Sequence, residues 1–223
     1  MMTVQFNSIG KNGFSLNDIT LTGMTAGYDD SDSDLIQVWD ASSGGYSALY
    51  YYYVGDSEYK AGWYNASTEE YFDDETPEGF PVGTAFWYIA RGTSGQGTQQ
   101  TAGAVENDAT VTYQLYKRPY GNYNLIASPY PMTLKLNEMT LVNMTAGNDD
   151  SDSDLIQFWD ATSGGYSGLY YLYVGDSEYK AGWYNASSEE YFDDEWPTGM
   201  PVGTAFWYIA RGEEGIGSIT FSR

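Results

Sequence analysis

Apolar positions along the chain come in short runs separated by turn residues, the pattern of strands rather than helices. Thr3 to Ser8 alternates weakly before a turn signal at Gly10-Lys11-Asn12-Gly13. Leu16 to Thr22 places Ile19 and Leu21 on one face, as a half-buried strand does. Leu35-Ile36-Gln37-Val38-Trp39 is apolar on both faces except at Gln37 and predicts a buried strand, closed by Ser42-Ser43-Gly44-Gly45. Leu49 to Val54, turned back by Gly55-Asp56-Ser57, pairs with Tyr59 to Asn65 as a hairpin, with Gly62 a bulge or a point of close approach. Ser67 to Glu75 is the only place where a short helix is credible, with Ser67 as cap and Glu70 completing a capping box, while Tyr71-Phe72 fits a loop equally well. Gly83 to Ala90 is apolar on both faces, like a central sandwich strand. Thr98 to Val105 predicts a further strand, and Thr110 to Tyr116 alternates cleanly.

Much of this pattern occurs twice. Residues 24–92 realign on 144–212 at a constant offset of 120, differing at positions 28, 38, 42, 48, 52, 68, 76, 78 and 80 and identical at the other 60 of 69. Two copies of this length predict tandem domains rather than a solenoid. The expected fold is all-β, two tandem β-sandwich-like modules: residues 1–105, and 106–223 with an extra N-terminal strand at 110–116. That strand has no counterpart before residue 1, which predicts an open sheet edge on the first module.

Composition narrows the function. Asp and Glu number 31 against 9 Lys and Arg, a net charge of -22, and 25 of these acids lie in the two copies, so the negative field belongs to the repeat. Such a field repels nucleic acid and anionic lipid surfaces and attracts cations. The absence of His and Cys removes Ser-His-Asp catalysis, thiol chemistry and disulfides. No apolar run approaches the length of a membrane span, and no basic region followed by a hydrophobic one opens the chain. A mature secreted or cell-surface chain without membrane insertion is expected.

The densest chemistry is Asp29-Asp30-Ser31-Asp32-Ser33-Asp34, which returns as Asp149 to Asp154. Asp30, Asp32 and Asp34, with Asp150, Asp152 and Asp154, have the alternate spacing by which an acidic loop wraps calcium. The helix-loop-helix signature itself fails, since Leu35 stands where Gly is needed and Ala41 where Glu is needed. Backbone carbonyls or Asp56, Glu58, Asp73 or Asp74 could complete the shell; the competing reading is a solvated acidic turn. Glu69 to Glu75, mirrored at Glu189 to Glu195, reads first as a solvated face. Trp63 and Trp183, with the Tyr50 to Tyr53 run, are candidates for a sugar-binding platform, against core packing as the alternative. Paired carboxylates of a glycosidase arise by chance in so acidic a chain, so no enzyme is expected.

The segment Gly121-Asn122-Tyr123-Asn124-Leu125-Ile126-Ala127-Ser128-Pro129-Tyr130-Pro131 resembles the opening strand of β-sandwich repeats in large secreted bacterial surface proteins. The resemblance implies an exported, non-catalytic structural module; residues 1–11 of the first copy lack both prolines. Near-identical tandem modules suit polymers and multivalent adhesion. The expectation is thus a calcium-stabilised extracellular subunit that self-assembles into a filament or surface coat, one chain lending the C-terminal run Ser218 to Ser222 to an open edge of the next. The alternative is a tandem carbohydrate-binding adhesion module.

Overall fold

The computed structural model describes residues 2–3, 6–7, 13–18, 20–81, 84–91, 98–100, 104–105, 109–160, 163–202 and 204–223. The expected turn at Gly10 to Asn12, the Ile19 position and parts of the predicted strand Thr98 to Val105 lie outside these residues. The chain divides into two compact units, Met1–Trp39 with Gly45–Glu106, and Asp40–Gly44 with Asn107–Arg223. Both are built of antiparallel strands.

In the first unit the strands are β1 (Met2–Thr3), β2 (Phe6–Asn7), β3 (Thr20–Thr22), β4 (Leu35–Asp40), β5 (Gly45–Tyr53), β6 (Gly62–Asn65), β7 (Ala85–Ile89), β8 (Thr98–Gln100) and β9 (Ala104–Val105). A five-stranded sheet runs β1-β7-β4-β5-β6, with β2 paired to β9 and β3 to β8. Its core gathers Phe14, Leu16, Ile36, Tyr50, Trp63, Phe72 and Phe86.

In the second unit they are β10 (Thr110–Lys117), β11 (Asn122–Ala127), β12 (Thr140–Val142), β13 (Leu155–Asp160), β14 (Gly165–Tyr173), β15 (Gly182–Asn185), β16 (Ala205–Ala210) and β17 (Gly215–Ser222). Two sheets, β11-β16-β13-β14-β15 and β10-β17-β12, share one core. Leu115, Ile219 and Phe221 come from the three-stranded sheet, and Ile126, Ile156, Phe158, Tyr170, Trp183, Phe206 and Tyr208 from the five-stranded one. This is a β-sandwich, and strand β16 is buried along its whole length, as its two-faced apolar run requires.

Three expectations change. The strand expected over Leu16 to Thr22 is confined to β3, because Leu16–Asp18 forms a 3-10 turn in which the Ser15 carbonyl accepts the Asp18 N–H at 3.2 Å. The helix over Ser67 to Glu75 shrinks to a single turn, Phe72–Glu75, that Tyr71 enters without a side-chain cap. Asn65 instead accepts the Ser67 N–H at 2.8 Å, and Glu69 takes a left-handed backbone (φ 59°), which ends any helical run before it can form. The C-terminal run is not spare either. Strand β17 lies between β10 and β12, pairing Thr110 with Ser222 and Thr140 with Thr220, while Ile219 and Phe221 point into the core. The strand offered for exchange is spent within its own module, because its alternate apolar residues fill that sandwich. Thr110 to Tyr116 forms the expected extra strand, extended by Lys117.

Candidate functional site

Strand alternation decides which aromatics are available to a ligand. Successive side chains on a strand point to opposite faces. Tyr50 is buried in the core, Tyr52 packs against it, and the register partner of Tyr52 across the hairpin, Trp63, is 0% exposed. Tyr51, Tyr53 and Tyr64 take the other face: Tyr51 pairs with Tyr64 in register, and the Tyr53 and Tyr64 rings lie 5.4 Å apart at 69°. Trp63 and Trp183 are therefore core residues, the latter 1% exposed, and neither offers a face to a sugar. Their size and their strand parity place them inside.

Around Tyr51, Tyr53 and Tyr64 lies a cleft of about 230 Å³, completed by Tyr28, Asp56, Tyr59 and Glu69. Most of its rings meet steeply, Tyr28 on Tyr53 at 78° and 6.0 Å, Tyr51 on Tyr53 at 87° and 6.4 Å, Tyr59 on Tyr53 at 86° and 6.4 Å, while Tyr51 and Tyr64 are tilted by 34°. Tyr53 and Tyr64 are the buried floor, 8% and 5% exposed. A second, larger hollow of about 560 Å³ shares Tyr59, Tyr64 and Glu69 and adds Glu58, Lys60, Glu70, Tyr71 and Asp74. There the Lys60 ammonium sits 3.5 Å from the centre of the Tyr71 ring, and Lys180 repeats this over Tyr191.

Local chemistry fixes each wall. Asp56 accepts the Tyr53 hydroxyl (2.6 Å) on one carboxylate oxygen and the backbone N–H groups of Glu58 and Tyr59 (both 2.8 Å) on the other. One carboxylate thereby ties the end of β5 to the turn that carries Tyr59. The Tyr53 bond and then the two N–H groups hold the Asp56 carboxyl below the usual range, while the same bond pushes the Tyr53 phenol up to about 12. Burial, followed by the carboxylates of Glu69, Asp29 and Asp30, pushes the Tyr51 phenol up as well. The cleft thus sets the Tyr51 and Tyr53 phenols, both raised, beside fixed negative charge.

The aspartate turn supplies the remaining wall. Gly27 bridges the end of β5, donating to the Tyr52 carbonyl and accepting from Val54 N–H (3.1 and 2.9 Å), which brings Tyr28 beside Tyr53. Asp32 Oδ1 accepts the N–H groups of Tyr28 (3.0 Å) and Asp29 (3.2 Å). Asp29 accepts the Ser31 N–H and hydroxyl. Asp34, 1% exposed, accepts Thr25 N–H (3.1 Å) and Tyr88 hydroxyl (2.6 Å) on Oδ2 and Arg91 N–H (2.6 Å) on Oδ1. The Arg91 guanidinium donates to the Ser31 carbonyl.

The second module repeats the device. Asp154 is 0% exposed and accepts Thr145 N–H (3.0 Å), Tyr208 hydroxyl (3.0 Å) and Arg211 N–H (2.6 Å). Burial raises its carboxyl pKa against the pull of those donors. Asp152 accepts the N–H groups of Asn148 and Asp149. Asp30 and Asp150 are exposed.

These contacts give the candidate calcium ligands another employment. Both oxygens of Asp34 and of Asp154, and Oδ1 of Asp32 and of Asp152, accept protein N–H or O–H donors, the arrangement of a self-supported turn. Among the described residues no three Asp, Glu, His or Cys side chains gather closely enough to hold a metal ion. The second acidic cluster is likewise dispersed: Asp73 accepts the Ser15 hydroxyl and the Asn17 amide, Asp74 approaches Lys60 at 4.0 Å, and Glu75 accepts the Asn65 amide at 2.7 Å.

The residues that line the cleft were hidden in the sequence within the tyrosine run. Odd-numbered Tyr51 and Tyr53, read against even-numbered Tyr50 and Tyr52, carry the signal. No described helix is long and apolar enough to cross a membrane. Comparison with models of protein families, with curated proteins and with solved structures found no match to this chain.

Proposed function

We propose that the chain is an exported, non-catalytic, bivalent binding module of an adhesion or surface-coat protein, each half presenting one tyrosine-lined cleft. The observation that carries this reading is that the residues lining the first module's cleft, and the bonds that hold them, recur in the second module. Positions 51, 53, 56, 59, 64 and 69 have the same residues at 171, 173, 176, 179, 184 and 189, and position 28 alone differs, Tyr28 against Asn148. The supporting bonds recur as well: Tyr173 hydroxyl donates to Asp176 at 2.7 Å, and Glu178 and Tyr179 N–H groups donate to its other oxygen at 2.7 and 2.8 Å. Weak sites in tandem favour a repetitive target, because the second contact forms at high effective concentration.

A self-assembling subunit has less behind it, since β17 is already paired within its own sandwich. The test compares the wild type with Tyr51→Ala, Tyr171→Ala and the double variant on arrays of surface polysaccharides and cell-wall polymers. Each single variant is expected to lose most retention on a dense surface, by up to roughly 10²-fold or more, and the double variant all of it. Retention unchanged in the double variant refutes the clefts as the binding sites.

A further inference from the structure

On the reading that the clefts are binding sites, we propose that the cleft of the first module is a cage for an N-methylated or quaternary ammonium group, and that the second module carries a weaker version of it.

Four features lead to this ligand class. The cleft is lined by Tyr28, Tyr51, Tyr53, Tyr59 and Tyr64 with only two other residues, and both of those, Asp56 and Glu69, are acids. An aromatic ring attracts a cation to its face, and several rings around one point add their attractions while shedding no hydrogen-bonding water from a methylated nitrogen. The steep angles that Tyr28, Tyr51, Tyr59 and Tyr64 make with Tyr53 set these rings as walls around a hollow, whereas a sugar platform calls for a flat aromatic face. At about 230 Å³ the hollow is below the roughly 300–1,000 Å³ of clefts for drug-sized ligands, and it has the scale of a small headgroup.

The protein already uses this chemistry on itself. In the adjoining hollow the Lys60 ammonium lies over the Tyr71 ring with Asp74 near by. Asp56 is held in place by three donors, so its charge stands at the rim before any ligand arrives. A quaternary nitrogen has no N–H donor to satisfy, and each methyl group on a protonated amine removes one, so such groups suit a site whose phenol Tyr53 is itself committed to Asp56. The surrounding field of a chain with net charge -22 draws such cations in.

Position 28 grades the two sites. Tyr28 is 69% exposed and stands edge-on to Tyr53 as the outermost wall. Asn148 keeps the same backbone bond to the turn aspartate, at 2.8 Å, but supplies no ring. The substitution therefore removes one wall without disturbing the turn.

Titration of the isotope-labelled full chain with tetramethylammonium chloride and with choline chloride, at constant ionic strength, tests the proposal. The neutral isostere of choline, 3,3-dimethylbutan-1-ol, serves as the reference. Ring resonances of Tyr28, Tyr51, Tyr53, Tyr59 and Tyr64 are expected to move, with the cation bound roughly 5- to 30-fold more tightly than the isostere. Tyr28→Asn should lower the first site to the affinity of the second, and Asn148→Tyr should raise the second toward the first. Each exchange introduces a residue that its counterpart already carries.

Equal binding of the isostere, or shifts confined to carboxylates away from the tyrosines, overturns the cage. If neither cation moves the tyrosines while a polysaccharide is still retained through Tyr51 and Tyr171, the cage falls and the bivalent binding function stands.

Discussion

Replacing Asp154 by alanine tests the claim that the aspartate turns are held by protein donors. Three groups lose their acceptor: the N–H of Thr145, the hydroxyl of Tyr208 and the N–H of Arg211. A stranded buried donor costs about 1–3 kcal/mol, and Tyr208, fully buried, has no water to turn to. The other two belong to half-buried residues and fall at the lower end, so the sum is roughly 3–5 kcal/mol. Part of this is offset because alanine removes a carboxylate whose burial already disfavours its charge. The expected net loss is roughly 2–4 kcal/mol, against a whole-domain stability of about 5–15 kcal/mol. Asp154→Asn keeps one acceptor oxygen and is expected to cost roughly half as much. Because the chain has two units, hydrogen exchange resolved by peptide is the assay: β13, β14 and β16 should lose protection while β4, β5 and β7 keep theirs. A change below about 1 kcal/mol refutes the reasoning. So does a loss that appears only with calcium present and vanishes in chelator, since the carboxylate would then be acting as a cation ligand.

Further outcomes follow from the same contacts. A Cβ at Gly27 would lie 1.9 Å from Asp32 Oδ1 and 2.6 Å from Ser33 Oγ, so Gly27→Ala should displace the turn, lower stability by about 1–3 kcal/mol and broaden the Tyr28 ring signals; unchanged melting and spectra contradict this. The depressed Asp56 carboxyl contributes stability that is present above its unfolded value of 3.8 and lost as pH falls through the folded value. The raised Tyr53 phenol contributes stability that is present below 10.0 and lost as pH rises through about 12. Carbon-13 titration of both groups checks the pair, and an Asp56 midpoint at or above 3.8 overturns it. Deleting residues 218–223 should unfold the second unit, removing Ile219 and Phe221 from its core; a natively protected unit after that deletion contradicts the central place of β17.

The strands were legible because their signal is local. Runs such as Leu35 to Trp39 and Ala205 to Ala210 are β-rich and bounded by turn residues, and the offset of 120 marks matching elements in the two units. Gly62 does mark a point of close approach: its φ is 147°, and a Cβ there would press on Asn17 and Tyr71 at 2.6 Å. The site was less legible, because spacing alone does not tell which way a carboxylate turns. Asp30, Asp32 and Asp34 alternate as cation ligands do, yet the partners that occupy Asp34 are Thr25, Tyr88 and Arg91, the last two more than fifty residues away in the chain. The same holds for the aromatics. For Trp63 the sequence favours packing but leaves a ligand role open, and the hairpin register, Trp63 opposite Tyr52, turns it inward.

The antiparallel pairing of the second module's first and last strands has a mechanical consequence. With Thr110 opposite Ser222 and Lys117 opposite Gly215, a tether drawn from both ends of the module would pull the two strands apart from one side. The backbone bonds would then break singly, like the teeth of a zip, instead of resisting together in shear. A module strung this way yields at low force and re-forms when slack returns, a property suited to a shock absorber more than to a rigid strut.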